Sequence, residues 1–375
     1  MIINVDERKY KKVEEDYKNS ILDSIIKNYE EFKRKNPEHK IFNFLKRDML
    51  ELIIKNPFLQ KTNSFLEGYL HTVSLICLNQ NLFKSIWDYY KDELIKNSIK
   101  RNEFYMICRY YSIKTFNNKL IDTIITKNKN QYFKNNTNYE KLINEVIEEL
   151  DSYSDALKKI FNYNNEMTTD KRSDILKKIG INVCPYCHRQ FINSYMVNGK
   201  NRVIAQLDHF IPKDKYPLYA LSLYNFIPSC AHCNTVLKKE KVFPFLFPVS
   251  ETNNNNKIFS ITYRDYQSII GSKNNFDIKI INPEENILKK QIRNFQIKSL
   301  ATEELYSYHK NFISDLLMKK NIDNQEYKDF VSSFGSSYKL SDKDFNEFLY
   351  GFNFQEEELY NKPLSKLATD VIKRK

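Results

Sequence analysis

The chain has 375 residues, with 59 Lys and Arg against 47 Asp and Glu for a formal net charge of +12. That length predicts two or three domains, each able to bury a core without staples, and 41% hydrophobic residues exclude a disordered chain. The basic excess points to a polyanionic partner, nucleic acid ahead of a membrane surface, although Lys, Asn and Ile are abundant throughout and such a bias raises charge by itself.

The opening segment MIINVDERKYKKVEED is charged from residue 6 and predicts no secretory leader. No apolar run approaches the ~20 residues that span a bilayer; the longest candidate, around Val73 to Leu78, is too short. A soluble protein of a reducing compartment, the cytoplasm, is expected.

Residues 1–170 read as a helical N-terminal domain for regulation or for binding a partner or DNA. Apolar residues recur there at steps of three and four, as in Ile21, Ile25, Ile26 and Tyr29 and again in Leu142, Val146, Ile147 and Leu150. Pro37 and Pro57 fall in expected turns, and Asn117–Asn118 and Asn135–Asn136 are expected breaks between helices. Cys77 and Cys108 lie in apolar stretches, which predicts buried structural thiols.

Residues 171–250 form the second expected domain. A short helix over Ser173 to Ile179 ends at Gly180, a C-cap by its position. Beyond VCPYCHRQF, strands are expected at Phe191–Val197 and Arg202–Leu207, and Asn198–Gly199 between them is a hairpin signal. Pro228, Pro244 and Pro248 close this region, and Asn253–Asn256 reads as a linker. The third segment, 251–375, is expected to mix strands (IFSITY, FDIKII) with helices. Helical periodicity returns at Pro283, placed at a first helical position. The amphipathic stretch from Ile287 to Lys320 is read as presenting a solvated face rather than a phosphate-binding one.

Chemistry concentrates in the middle segment. Cys184-Pro-Tyr-Cys187 and Cys230-Ala-His-Cys233 are two CxxC knuckles in a chain with only two other cysteines. In a chain of this size without a leader the pattern reads as metal before disulfide. Four thiolates suit tetrahedral Zn²⁺ in a closed structural site. The long interval between the knuckles requires an inserted unit of structure. Asp208 and His209 lie within it, in LDHFIPK, as does Asn225, while Asn234 directly follows the second knuckle. An imidazole with an unperturbed pKa near 6.5 can serve as a base at neutral pH. Asp208 and the side-chain carbonyl of Asn234 are hard oxygen ligands of the kind that hold Mg²⁺ or Mn²⁺. Adjacent residues of a strand point to opposite faces, so Asp208 and His209 can serve one site only if the backbone turns there.

LDHFIPK, the Asn of LYNFIP and CAHCN together resemble the HNH endonuclease family over roughly residues 180 to 245. The resemblance implies an α+β, mostly helical chain with a central ββα-metal module stapled by the Cys₄ zinc. It further implies metal-dependent hydrolysis of DNA phosphodiester bonds. His209 would be the general base, Asp208 and Asn234 would hold the catalytic Mg²⁺ or Mn²⁺, and Asn225 would orient the base. The zinc would pin a hairpin to the helix that carries Asn234. Lys213, Lys215, Lys238 and Lys239, with Lys241, flank the site and would contact phosphates; Lys238 stands four residues after Asn234, where many family members place Lys three after. His188 and His232, in or beside the knuckles, are read as filler, and His39, His71 and His309 receive no role. The large helical flanks are similar to those of Septu-type anti-phage effectors, which implies antiviral defence with an ATPase partner. The other readings are a restriction or mobile-element nuclease, an enzyme acting on RNA, or a non-catalytic zinc module that only binds nucleic acid.

Overall fold

The computed structural model describes residues 2–58, 66, 69, 70, 73, 136–197, 200–244, 246–250, 254, 256–284, 287–334 and 340–373. Cys77, Cys108, His71, Asn117–Asn118, Asn135 and the hairpin turn Asn198–Gly199 lie outside them. The described fold is mixed α and β and mostly helical.

Helix α1 (Glu7–Lys35) opens at an Asp6 cap, whose carboxylate accepts from the Arg8 amide and satisfies one of the first-turn donors. Its buried residues Tyr10, Val13, Tyr17, Ile21, Ile25, Tyr29 and Phe32 form one stripe at helical spacing. That stripe packs on α2 (Met49–Lys55), α3 (Asn136–Ile160) and α4 (Thr169–Ile179). Helix α4 starts at a Thr168 cap and ends at Gly180 in the left-handed region (φ 64°), as the glycine's position predicts.

Strands are short and come in pairs. β1 (Val5–Asp6) runs parallel to β6 (Val249–Ser250). β2 (Ser194–Val197) and β3 (Lys200–Val203) are antiparallel, with Val197 opposite Lys200. β4 (Gln206–His209) pairs antiparallel with β5 (Phe226–Ser229), placing Asp208 opposite Ile227 and His209 opposite Phe226. β7 (Phe259–Tyr263) and β8 (Phe276–Ile280), both expected as strands, pair antiparallel.

Two expectations need correction. The strand expected at 202–207 is two strands, because β3 ends at Val203 and β4 takes a new partner. That partner, β5, contains Pro228, one of the prolines that close the region; a two-stranded ribbon tolerates proline because one side of each strand needs no donor. Pro283 is not the first residue of a helix, since the described helix α5 begins at Ile287 (Ile287–Ser299). Five further helices follow: α6 (Thr302–Ser307), α7 (Lys310–Asn321), α8 (Gln325–Ser333), α9 (Asp342–Tyr350) and α10 (Ser365–Ile372).

One apolar cluster runs from α1 through the β4–β5 ribbon to α10. Polar anchors hold α1 on the ribbon and its loop: the Tyr10 hydroxyl donates to the Phe226 carbonyl (2.6 Å) and the Tyr17 hydroxyl to the Leu221 carbonyl (2.8 Å). No described helix is long and apolar enough to cross a membrane.

Candidate functional site

The four knuckle cysteines converge. Their sulfurs all lie within 4.8 Å of one another and all four residues are buried. A tetrahedral zinc with bonds of ~2.3 Å sets its sulfurs about 3.8 Å apart, and the Cys187 and Cys230 sulfurs are 4.0 Å apart. That spacing fits ligands of one ion and is far from the ~2.05 Å of a disulfide. The backbone is wound for the purpose. The Cys233 amide donates to the Cys230 sulfur (3.4 Å), and the His188 amide closes the first knuckle on the Cys184 carbonyl (2.7 Å). Hydrogen bonding from Cys184 holds the Cys187 and Cys230 thiols below their ordinary value, while burial pushes Cys184 up and hydrogen bonding to Cys184 pushes Cys233 up. Four thiolates cannot share a dry cage without a compensating cation, and a divalent ion supplies it. The set can therefore hold a metal such as zinc. Among the described residues it is the only group of three or more His, Cys, Asp or Glu side chains placed to do so.

The knuckles join distant parts of the chain. The Tyr306 hydroxyl of α6 donates to the Cys187 carbonyl (2.8 Å). His188, fully buried, pairs its Nε2 with the Leu359 carbonyl at 2.8 Å, and burial pushes its pKa down to about 4. It is a neutral packing residue. His232 is exposed, with no partner among the described residues. His39 caps a short turn at Lys40–Asn43, and His309 accepts from the Arg189 guanidinium (2.8 Å).

Between the knuckles, the β4–β5 ribbon leads into a seven-residue π-helical segment, His232–Lys238, that carries Asn234. His209 ends β4. Its Nε2 lies 3.0 Å from the Ala220 carbonyl. A carbonyl only accepts, so Nε2 carries the proton and Nδ1 keeps its lone pair. Nδ1 has no partner among the described residues, and the ring is partly exposed. The ring sits edge-on to Tyr163 (4.8 Å) and Phe226 (5.1 Å). Burial, opposed by the Ala220 bond and helped by Lys213 and Lys238, pushes its pKa down to about 4. At neutral pH His209 is thus an uncharged, tautomer-fixed imidazole with one free lone pair.

Asn225 acts at one remove from His209. It is fully buried, accepts from the Ile211 amide (2.7 Å), and donates to the Ile211 and Tyr219 carbonyls (2.9 Å each). It makes no bond to His209. It locks the loop between β4 and β5, and with it the Ala220 carbonyl that orients His209.

Asp208 is placed differently from its expected role. β4 stays extended through His209, so the two side chains leave on opposite faces, as strand geometry requires. The turn needed to bring them together is absent. The Asp208 carboxylate, 3% exposed, accepts from the Tyr186 hydroxyl (2.5 Å) and pairs with the Lys238 ammonium (3.1 Å). Lys238 is fully buried and also donates to the His209 carbonyl (2.9 Å). It is therefore no phosphate contact; its charge answers Asp208. Asn234 is not joined to Asp208 either: its amide donates to Gln206 Oε1 (2.9 Å). Among the described residues no hydrogen bond joins Asp208 to Asn234, the pair expected to hold Mg²⁺ or Mn²⁺, and the carboxylate is already satisfied by Tyr186 and Lys238. These residues do not fit a hydrated divalent ion as they stand.

Replacing Lys238 by Met should cost about 3–5 kcal/mol of stability, because it strands a buried carboxylate. Adding Asp208→Asn should recover part of that loss. Denaturant melts of both variants check this, and a Lys238→Met chain as stable as the wild type contradicts the pairing.

Of the other lysines, Lys213 pairs with Asp214 (2.9 Å) and lies 5.4 Å from the Tyr163 ring centre. Lys215 pairs with Glu240 (2.6 Å), and Lys239 and Lys241 are exposed. Tyr186, Gln206, Ala220, Tyr163 and Arg172 also surround these residues without belonging to the motifs. Only Gln206 carried a usable signal: it stands two residues before Asp208 and so shares its face of β4. Comparison with family models, with curated proteins and with solved structures gives no match for this chain.

Proposed function

We propose that the chain is an endonuclease that hydrolyses DNA phosphodiester bonds with His209 as general base. The observation that carries this reading is the state of His209: neutral, Nε2–H held on Ala220, Nδ1 open. A water at Nδ1 would lose its proton there as its oxygen attacks phosphorus, and the leaving sugar oxygen departs on the far side. The ammonium of Lys213, next to the Tyr163 ring that packs on His209, would offset charge on the phosphate. Zinc in the cysteine cage would take no part in the chemistry; it would hold the Asn234 segment against the ribbon. No step is assigned to a second ion, because Asp208 is engaged.

The test is nicking of supercoiled plasmid by the zinc-loaded full chain, without added divalent ion and with Mg²⁺ or Mn²⁺. Cleavage is expected. DNA binding with no cleavage under any of these conditions would favour the non-catalytic zinc module instead.

The pH dependence has a sign fixed by the site. Burial disfavours the imidazolium, so the base stays deprotonated well below the ordinary histidine range. The acid limb of kcat/KM should therefore lie near pH 4, leaving the rate level from about pH 8 to about pH 5. A half-loss near pH 6.5, the unperturbed value, would contradict the burial of the base.

A further inference from the structure

An open cleft of about 570 Å³ lies beside the ribbon, walled on one side by the start of α4 and on the other by Gln206 and Asn234. Its volume falls in the range that takes a small-ligand-sized unit. Arg172 of α4 lines it, half-buried; its guanidinium donates to Thr169 Oγ1 (3.3 Å) and lies beside Tyr163, and it has no carboxylate partner among the described residues. Ser173 beside it, 2% exposed, has a hydroxyl with no partner among the described residues. At the other edge Tyr195 of β2 lines the cleft with its ring half exposed (50%). Tyr163 connects this cleft to the base, since its ring is shared by the cleft wall and by His209.

A cation without a counter-charge and an exposed aromatic face across one groove are the two elements that hold a nucleic-acid strand, one for the backbone and one for a base. We infer that this cleft is the track for a single DNA strand, with Arg172 on a phosphate flanking the one attacked and Tyr195 stacked on an unpaired base. Arg172 comes from α4, before the first knuckle, and Tyr195 from the β2–β3 hairpin inserted between the knuckles, so a helical flank and the hairpin together supply grip on the substrate. The inference rests on the reading of His209 as the base.

The experiment measures binding separately from cleavage. Anisotropy of a short fluorescent single-stranded DNA is titrated with the full chain carrying His209→Ala, alone and combined with Arg172→Ala, Arg172→Lys or Tyr195→Ala. Arg172→Ala should weaken binding about tenfold and reduce the slope of log K against log salt by about one. Arg172→Lys should keep the slope while losing part of the affinity. Tyr195→Ala should weaken binding about fivefold or more without changing the slope. In the cleaving chain, Arg172→Ala should raise KM more than it lowers kcat. Zinc content and melting temperature equal to the parent's show that a variant is folded, and Tyr195→Ala, at an exposed position, keeps the test open if Arg172→Ala is not. Unchanged affinity and slope in folded variants overturn the inference even if the wild type cuts DNA. Conversely, a wild type that never cuts, with these binding losses intact, overturns the nuclease reading and leaves the cleft as a strand-binding groove.

Discussion

Cys230→Ser is expected to leave the chain unable to retain zinc and to unfold the ribbon that carries His209. Structural zinc contributes an apparent ~10–16 kcal/mol at neutral pH in small zinc modules, as much as the whole stability of a typical domain at about 5–15 kcal/mol. In this chain the cage joins Cys184 and Cys187, tied to α6 through Tyr306, to Cys230 and Cys233, which open the Asn234 segment. With a ligand gone, the remaining buried thiols must stay protonated, and the short β4–β5 ribbon loses its closest clamp. Elemental analysis should fall from one zinc per chain to well below one. Near-ultraviolet circular dichroism should lose signal from Tyr186 and Tyr306, both buried against the cage's neighbours. A chelator should do the same to the wild type. Cys230→Ser protein with a full zinc and an unchanged melting temperature would show that the four sulfurs are not a metal site.

His209→Ala is expected to slow DNA cleavage by about 10²–10⁴-fold, the span that a positioned general base contributes. The side chain also bonds Ala220 and touches Tyr163 and Phe226. Its removal should therefore cost a stability increment of only about 1 kcal/mol for the lost hydrogen bond, plus the edge contacts. Zinc content should not change, because no cage ligand touches the ring. Single-turnover nicking, with zinc and melting temperature measured on the same preparation, separates loss of chemistry from loss of fold. Cleavage within a few-fold of wild type would remove His209 from the mechanism.

The sequence made the cysteine cage legible because a CxxC pair encodes its own local geometry: two ligands from one tight turn, needing only a second pair to meet. The same holds for Gly180, whose left-handed conformation follows from one residue type at one position. The two C-terminal strands were legible from their β-rich runs, though not their pairing. What could not be read was pairing between residues far apart in sequence. The Asp208–Lys238 ion pair joins β4 to the end of the π-helical segment, and nothing local in either stretch declares it. Its consequence is large, since it removes Asp208 from the expected metal set and Lys238 from the expected phosphate contacts. Alternation along a strand did warn that Asp208 and His209 would face apart. The resemblance to HNH nucleases supplied the reason to expect a turn there, and β4 continues without it. Asn225, expected to bond His209 directly, instead holds the loop that carries the Ala220 carbonyl, whose closure depends on tertiary contacts. Tyr163 and Arg172 come from flanking segments read for helicity alone, so their approach to His209 was beyond a pattern reading.

The most direct measurement is a plasmid-nicking time course of the zinc-loaded chain beside its His209→Ala variant, run with no added divalent ion, with Mg²⁺ and with Mn²⁺. The predicted result is conversion of supercoiled DNA to nicked and then linear product by the wild type, lost in the variant although zinc content and melting temperature match. Supercoiled DNA left intact by the wild type in every condition, or cut equally by both chains, would contradict a phosphodiesterase site at His209.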